Sequence, residues 1–341
     1  MIVVLVIVTL ILSASYSTLA ERELSAAARN NARQDLMGLE QKPDDANEYL
    51  DRRIEYYEKR YNLDKPRWQR VFFSARDVLM LDFGKANEMT APDGTRDVAT
   101  IVMTYLPRTV LLFTTAAVIY TALGIAVGLK AAQVAGSKLD KFLSLFGIAA
   151  SSLPMWWVGM LAILVFVYQL GWFPAPDPQF PQLADMSLGA YVQAILYKMA
   201  LPLATVVFVL FGGRAWVTRN LVTGVLQDDY IMAARAKGVP ERKVIYGHTL
   251  KTAAPPVVTS AIMALLMSMG GAMISEIVFQ WPGMGYLLRM AIFTYTDVPV
   301  ILGVSFIMAF LYIFGYYLAD LIYGFLDPRV EVGSQGAAGG R

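Results

Sequence analysis

Six stretches of about 20 apolar, almost uncharged residues recur along this sequence. A run of that length is what an α-helix needs to cross a bilayer. The hydrocarbon interior offers the backbone no other hydrogen-bond partner, so such runs are read as helices. The first covers residues 2–20. The second covers 109–129, with earlier helical turns from about 98. The third lies within 142–169, the fourth within 191–213 and the fifth within 256–279. The sixth starts at 298 and ends near 325. The fold class this predicts is all-α, a polytopic membrane protein with six transmembrane helices.

Charge asymmetry orients the spans. Short loops that stay in the cytoplasm collect Lys and Arg. Lys130, Lys138 and Lys141 fall between spans two and three. Arg214, Arg219, Arg235, Lys237, Arg242, Lys243 and Lys251 fall at or between the ends of spans four and five. The loop 171–190 has no basic residue and carries Asp177 and Asp185. Both termini are therefore predicted to be cytoplasmic, in a multi-pass protein of the cell membrane. Residues 21–97 break the short-loop pattern with many charges of both signs. A long loop crosses regardless of its charge, so this one is placed outside, with two amphipathic or surface helices in its first part. Residues 331–341, ending in GSQGAAGG with a final Arg, read as a disordered cytoplasmic tail. Span one has a rival reading as a cleaved signal peptide. A signal peptide opens with positive charge, none precedes the apolar run here, and retention is favoured.

Composition narrows the chemistry. Hydrophobic residues make up 56% of the 341 positions and charged residues 16%, with a net charge of +2. Ordinary soluble domains carry about a quarter charged residues, and so slight a positive charge gives no basis for nucleic-acid binding. There is no cysteine and a single histidine, His248. Thiolate metal sites and thiol catalysis are excluded, and no metal or catalytic centre is expected. The spans hold no acid–base pair and no nucleophile–base set.

The most informative segment is the basic loop DDYIMAARAKGVPERKVIYGHTLKTAAPPVV, residues 228–258. It reads as helix, turn, helix. Asp228 or Asp229 is placed to cap the first helix. Gly238 suits the left-handed residue that ends it, and Pro240 opens the next. Glu241 sets a negative charge near that helix's positive end. A first helix of about nine residues is too short to stand alone. Ala233, Ala234 and Ala236 keep it slim, as suits a knob that enters a groove in a partner.

This loop resembles the EAA motif of ABC import permeases. Ala233, Ala234, Gly238 and Leu250 match it at the right spacing, while Met232, His248 and Lys251 replace its Glu, Ile and Pro. Those departures are similar to the dipeptide/oligopeptide branch, through Asp229, Tyr230, Ala234, Arg235, Ala236, Lys237, Gly238, His248, Leu250 and Lys251. The resemblance extends to RYNLDKPRWQR (60–70), LDFG (81–84), LPRTVLL (106–112), SSLPMWWVGMLAI (151–163), LGWFPA (170–175), SEIVFQWPGMGYLL (275–288) and DLIYGFLDPRV (320–330). Residues 21–57 have no counterpart in it and read as an insertion.

The resemblance implies a type I ABC importer permease fold, with residues 98–330 as the permease core and 228–251 as the coupling loop. It implies one of two homologous permease subunits, two cytoplasmic ABC ATPase subunits and an extracytoplasmic substrate-binding protein. ATP and Mg would be bound by the ATPase partners, since no Walker A pattern occurs here, and this chain would not be an enzyme. Asp229, Tyr230, Ala233, Ala234, Arg235, Lys237, Gly238 and Glu241 are the expected ATPase-coupling residues. Di- and oligopeptides are the expected cargo, and relatives that carry oligosaccharides or nickel keep those alternatives open. An ion-coupled secondary transporter is the rival of another class. It would call for mid-span carboxylates, broken helices and inverted repeats, which are not evident.

Charges in or near spans mark function by default. Lys198 and Arg214 are expected to snorkel to the interface, and Asp320 to pair near the cytoplasmic surface. Glu276 is left between facing the pathway and bracing an external turn. Trp157 and Trp281 are the aromatic candidates for a pathway or external gate, with a kink and a turn as their plainer roles. His248 is expected to pack under the coupling loop.

Overall fold

A computed structural model describes residues 1–37, 45–60, 63–268 and 273–326 of the chain. The secondary structure assigned to them is helical, and their one β contact is an isolated bridge between Lys85 and Asp97. The helices are α1 (Ile2–Met37), α2 (Ala46–Arg60), α3 (Arg67–Leu79), α4 (Val98–Gln133), α5 (Lys138–Ser152) and α6 (Met155–Ala162). They are followed by α7 (Leu188–Leu226), α8 (Asp229–Ala236), α9 (Glu241–Lys243), α10 (Leu250–Ser268), α11 (Met273–Val278), α12 (Met284–Phe293) and α13 (Val298–Leu326). A π-helical segment, Ile163–Gln169, extends α6, and another, Val244–Thr249, joins α9 to α10. The predicted tail 331–341 lies outside the described residues.

Four helical stretches are long and apolar enough to span a membrane: Val98–Gln133, Leu188–Leu226, Glu241–Leu266 and Val298–Ile322. The pair Lys138–Ser152 and Met155–Gln169 passes the same test as one span bent by 97°. Pro154 sits at that bend, where its missing N–H interrupts the helical ladder. The first predicted span is the apolar head, Ile2–Ser17, of a much longer helix.

Two compact units divide the chain. Among the described residues, one comprises those within 105–286 and 314–326. Here α5 lies along α7 with little between them. A Cβ on Gly147 would stand 2.6 Å from the Gly212 carbonyl oxygen, and one on Gly212 would meet the Phe146 ring at 2.7 Å. Glycine is the residue that lets membrane helices approach this closely. In the first turn of α5, buried Asp140 accepts from Arg219 Nε and Nη2 of α7, each at 2.8 Å. Its Oδ2 also takes the Gly136 N–H of the preceding turn. The basic α4–α5 loop is thus tied to α7.

The other unit comprises residues 1–104 and 287–313. Helix α1 runs through residue 20 without a break and ends at Met37, so the first helix of the predicted insertion is continuous with span one. Helix α2 is the second. Ala28 and Ala32 are fully buried. Asp35 accepts from Arg53 Nε at 2.7 Å, from Arg53 Nη2 and from Tyr57 at 2.9 Å. The Arg53 hydrogen bonds first, then that of Tyr57, hold the Asp35 carboxyl below the usual carboxylate range. Further along, Asp97 Oδ2 accepts from the backbone N–H and the hydroxyl of Thr100 and caps α4. Asp297 is fully buried and accepts the Glu88 and Met89 N–H groups, which fixes the loop ahead of α4.

Candidate functional site

The loop 228–251 forms a short projecting helix and its return. Helix α8 is held down by one residue, Ile231, which is fully buried. Beside it, Tyr230 donates through its hydroxyl to Thr252 Oγ1 at 2.8 Å. Tyr230, Met232, Ala233, Arg235 and Lys237 are exposed, while Ala234 is half-buried. The residue N-terminal to α8, Asp228, has the extended backbone of a cap, yet its side chain makes no capping bond. Neither does the side chain of Asp229, which is already helical and exposed. The expected side-chain cap is therefore absent.

Gly238 has φ of +74° and turns the chain out of α8. A residue with a Cβ is strained in that left-handed conformation. Pro240 stands just ahead of α9 as its cap, one position earlier than a first helical residue. Across the turn, Arg235 Nε and Nη2 donate to Glu241 Oε2 and Oε1 at 3.1 and 2.6 Å. Glu241 thus clamps α8 to the start of α9, a partnership its helix-end position did not reveal. The π segment leads directly into α10, so the return helix and span five are one element. His248 is exposed on that segment rather than packed beneath the loop. Of the eight coupling candidates, the structure joins Arg235 with Glu241 and places Asp229, Tyr230, Ala233, Ala234, Lys237 and Gly238 on the same small projection.

The pathway candidates fall in two different settings. Glu276 of α11 is buried, 1% exposed. Its Oε1 accepts from Thr109 Oγ1 and its Oε2 from the Gly285 N–H, both at 2.6 Å. Thr109 Oγ1 in turn accepts from the Met284 N–H at 2.7 Å. Gly283 touches this cluster so closely that a Cβ there would collide with Glu276 Oε1 and Thr109 Oγ1. Trp281 is also buried, and its indole N–H donates to the Arg108 carbonyl at 3.0 Å. Its ring meets Phe180 edge-on at 5.5 Å, and the Arg108 guanidinium lies 4.4 Å over Phe180. This geometry braces the turn 279–285 against α4. Trp157 is separate from it, exposed on α6 just after the bend.

Arg108, Thr109 and Phe180 were missed as site residues. LPRTVLL and SEIVFQWPGMGYLL both stand out in the sequence, but nothing in a single sequence says that they touch. Among the described residues no group of three or more His, Cys, Asp or Glu is placed to hold a metal ion. Lys198 is half-buried and donates to the Asp177 carbonyl, and Asp320 is exposed on α13. Arg214 does not reach out to solvent; it is 8% exposed.

Residues 124–332 match the family model described as binding-protein-dependent transport system inner membrane component. The chain is 29% identical over 277 residues to the oligopeptide transport system permease protein AppB of Bacillus subtilis (strain 168), covering 81% of this chain and 84% of that one. It is 29% identical over 287 residues to the di/tripeptide transport system permease protein DppB of Pseudomonas aeruginosa (strain UCBPP-PA14), covering 80% and 83%. A solved MetNI methionine ABC transporter chain in an inward-facing conformation aligns with a TM-score of 0.48 at 18% identity, over 66% of this chain and 97% of that one.

Proposed function

Because the chain belongs to the family of binding-protein-dependent transport system inner membrane components, we propose that it is one of two permease subunits of an ATP-driven importer of di- and oligopeptides. Two relatives bear oligopeptide and di/tripeptide transport names over four fifths of the chain, which supports a peptide cargo. The observation that carries the coupling role is α8, a slim exposed helix anchored by one buried residue and one bidentate ion pair. In this reading the projection faces the cytoplasm and seats in a groove of an ATPase subunit. ATP and Mg are bound there, and closure of the ATPase pair displaces α8.

The displacement has a path into the membrane. Arg235 and Glu241 link α8 to α9, and α9 continues through the π segment into α10. The Tyr230–Thr252 hydrogen bond makes a second link to the same element. A push on α8 is then a push on span five. The turn braced by Glu276 and Trp281 lies on the extracytoplasmic side, where the substrate-binding protein docks. The unmatched helical segment after span one offers the binding protein a contact of its own.

The absence of native cysteine makes a direct test simple. Met232→Cys places one thiol on the exposed face of α8. In the purified complex a short reagent with a maleimide at one end and a photoactivated group at the other, attached through the maleimide to this thiol, is expected to join it to an ATPase subunit on illumination. Peptide-stimulated ATP hydrolysis should fall once the link forms. A complex that hydrolyses ATP while Met232→Cys reaches only lipid or solvent would defeat the coupling role.

A further inference from the structure

Arg214 occupies an unusual place in α7. Residues 199–213 carry no charge, and the next charged residue after Arg214 is Arg219. The side chain is nevertheless buried. Its Nη2 donates to the Val257 carbonyl of α10 at 2.9 Å, and its Nε has no partner. Among the described residues no carboxylate lies in ion-pair range of it. Gly124 of α4 makes room for its stem, because a Cβ there would collide with Arg214 Cγ. A charged group in such surroundings is costly unless it faces a cavity or a counter-charge.

A cavity is present. About 420 Å³ of space is lined by Arg214 with Tyr120, Ser151, Leu153, Met155 and Gly213, and further apolar side chains of α7 complete the wall. Leu153 and Met155 of its wall flank Pro154, where the bent pair breaks, with 15 residues of α5 before the break and 15 residues of α6 and its π extension after it. Irregular backbone at membrane depth is tolerated where it lines such a space. The wall is mostly apolar and includes Arg214, a residue whose guanidinium pairs with a carboxylate. The volume falls in the range of small-ligand pockets, roughly 300–1,000 Å³.

Resting on the peptide-import reading, we propose that this cavity is a cargo subsite that receives the free C-terminal carboxylate of a peptide, with Arg214 as the residue that pairs with it. The apolar wall takes the terminal side chain, and the guanidinium supplies the fixed charge. The prediction is specific: a peptide with its carboxylate blocked as an amide loses the subsite.

The cysteine-free sequence again allows a direct probe. Ser151→Cys puts one thiol on the cavity wall of the assembled transporter in proteoliposomes. Its modification by anionic and cationic methanethiosulfonates is followed by the mass of this chain, with each rate referred to that of a free thiol in solution. The anionic reagent is expected to react faster by about tenfold, the ratio that a differential attraction of roughly 1.4 kcal/mol produces. Arg214→Gln should abolish the preference and Arg214→Lys should keep most of it. Tri-alanine should slow modification, and tri-alanine amide should not. Absence of any reaction, absence of a charge preference, or equal protection by the amide would overturn the subsite. ATP-driven tri-alanine uptake by the parent complex is measured in parallel. Uptake without carboxylate-selective protection removes the subsite alone, whereas no uptake removes the import reading beneath it.

Discussion

Thr109 and Glu276 stand 167 positions apart in sequence, yet the Thr109 hydroxyl donates to Glu276 Oε1 at 2.6 Å in a buried setting. The same Thr109 oxygen accepts the Met284 N–H, so one hydroxyl serves both a carboxylate and a backbone turn. Thr109→Val removes donor and acceptor together and leaves two buried groups unmatched. The expected loss is roughly 1–3 kcal/mol for such unsatisfied groups, read as a lower Tm of the detergent-solubilised protein. Thr109→Ser should stay near the parent. An unchanged Tm in Thr109→Val would show that the brace contributes nothing.

Gly238 can be tested without steric confusion. A Cβ there meets nothing within 4 Å, so substitution acts only through the positive φ. Asn tolerates that conformation far better than a β-branched residue does. Gly238→Asn should retain peptide uptake, while Gly238→Val should strain the turn by about 1–2 kcal/mol and lower uptake per ATP hydrolysed. Equal coupling ratios in the two variants would remove the turn from the transmission path.

Arg219 answers a buried acid. Asp140 is 3% exposed and accepts from the Nε and Nη2 groups of that guanidinium. Arg219→Met leaves that carboxylate buried without its partner, a change that costs about 3–5 kcal/mol. Asp140→Asn should cost less, because the amide oxygen can still accept the Gly136 N–H. Thermal unfolding of the two variants gives the order directly, and the reverse order would contradict the assignment.

Asp35 predicts a response to acid. Its folded pKa lies below the ordinary 3.8 because Arg53 and Tyr57 donate to the carboxylate. Such a group contributes stability that is complete above the unfolded value and is lost as pH falls through the folded one. Amide protection in α2, corrected for intrinsic exchange, should therefore be constant from neutrality to about pH 5 and weaken only under more acid conditions. Asp35→Asn should show the weakened protection already at neutral pH. Protection that fades between pH 7 and 5 would point to a different group.

The legible part of this molecule was the part written in local pattern. Apolar runs announced the helices, and the kink given as the plainer role of Trp157 falls at the Pro154 bend in span three. Gly238 marked the end of α8, and Asp229 to Lys237 its composition. Other features needed the fold. Helix α1 continues to Met37, and one signal was available: neither Gly nor Pro occurs before Gly38. The change from apolar to charged composition near residue 20 reports where water begins, not where the helix ends. Glu276 could be left only between pathway and brace, because its partners Thr109 and Gly285 come from another helix and from beyond the turn. Arg214 near a span end suggested snorkelling, but the Val257 carbonyl and the Gly124 gap keep it inside. Pairings of this kind are set by tertiary packing, and no spacing in one chain encodes them.

The most direct test of the central claim is uptake of a radiolabelled dipeptide by proteoliposomes that hold the complete complex. Binding protein is supplied on one face and ATP on the other, with no ion gradient across the membrane. Accumulation is expected to require both ATP and binding protein and to be lower in Gly238→Val. Accumulation driven by a proton or sodium gradient without ATP would contradict the importer reading and identify the chain as a secondary transporter.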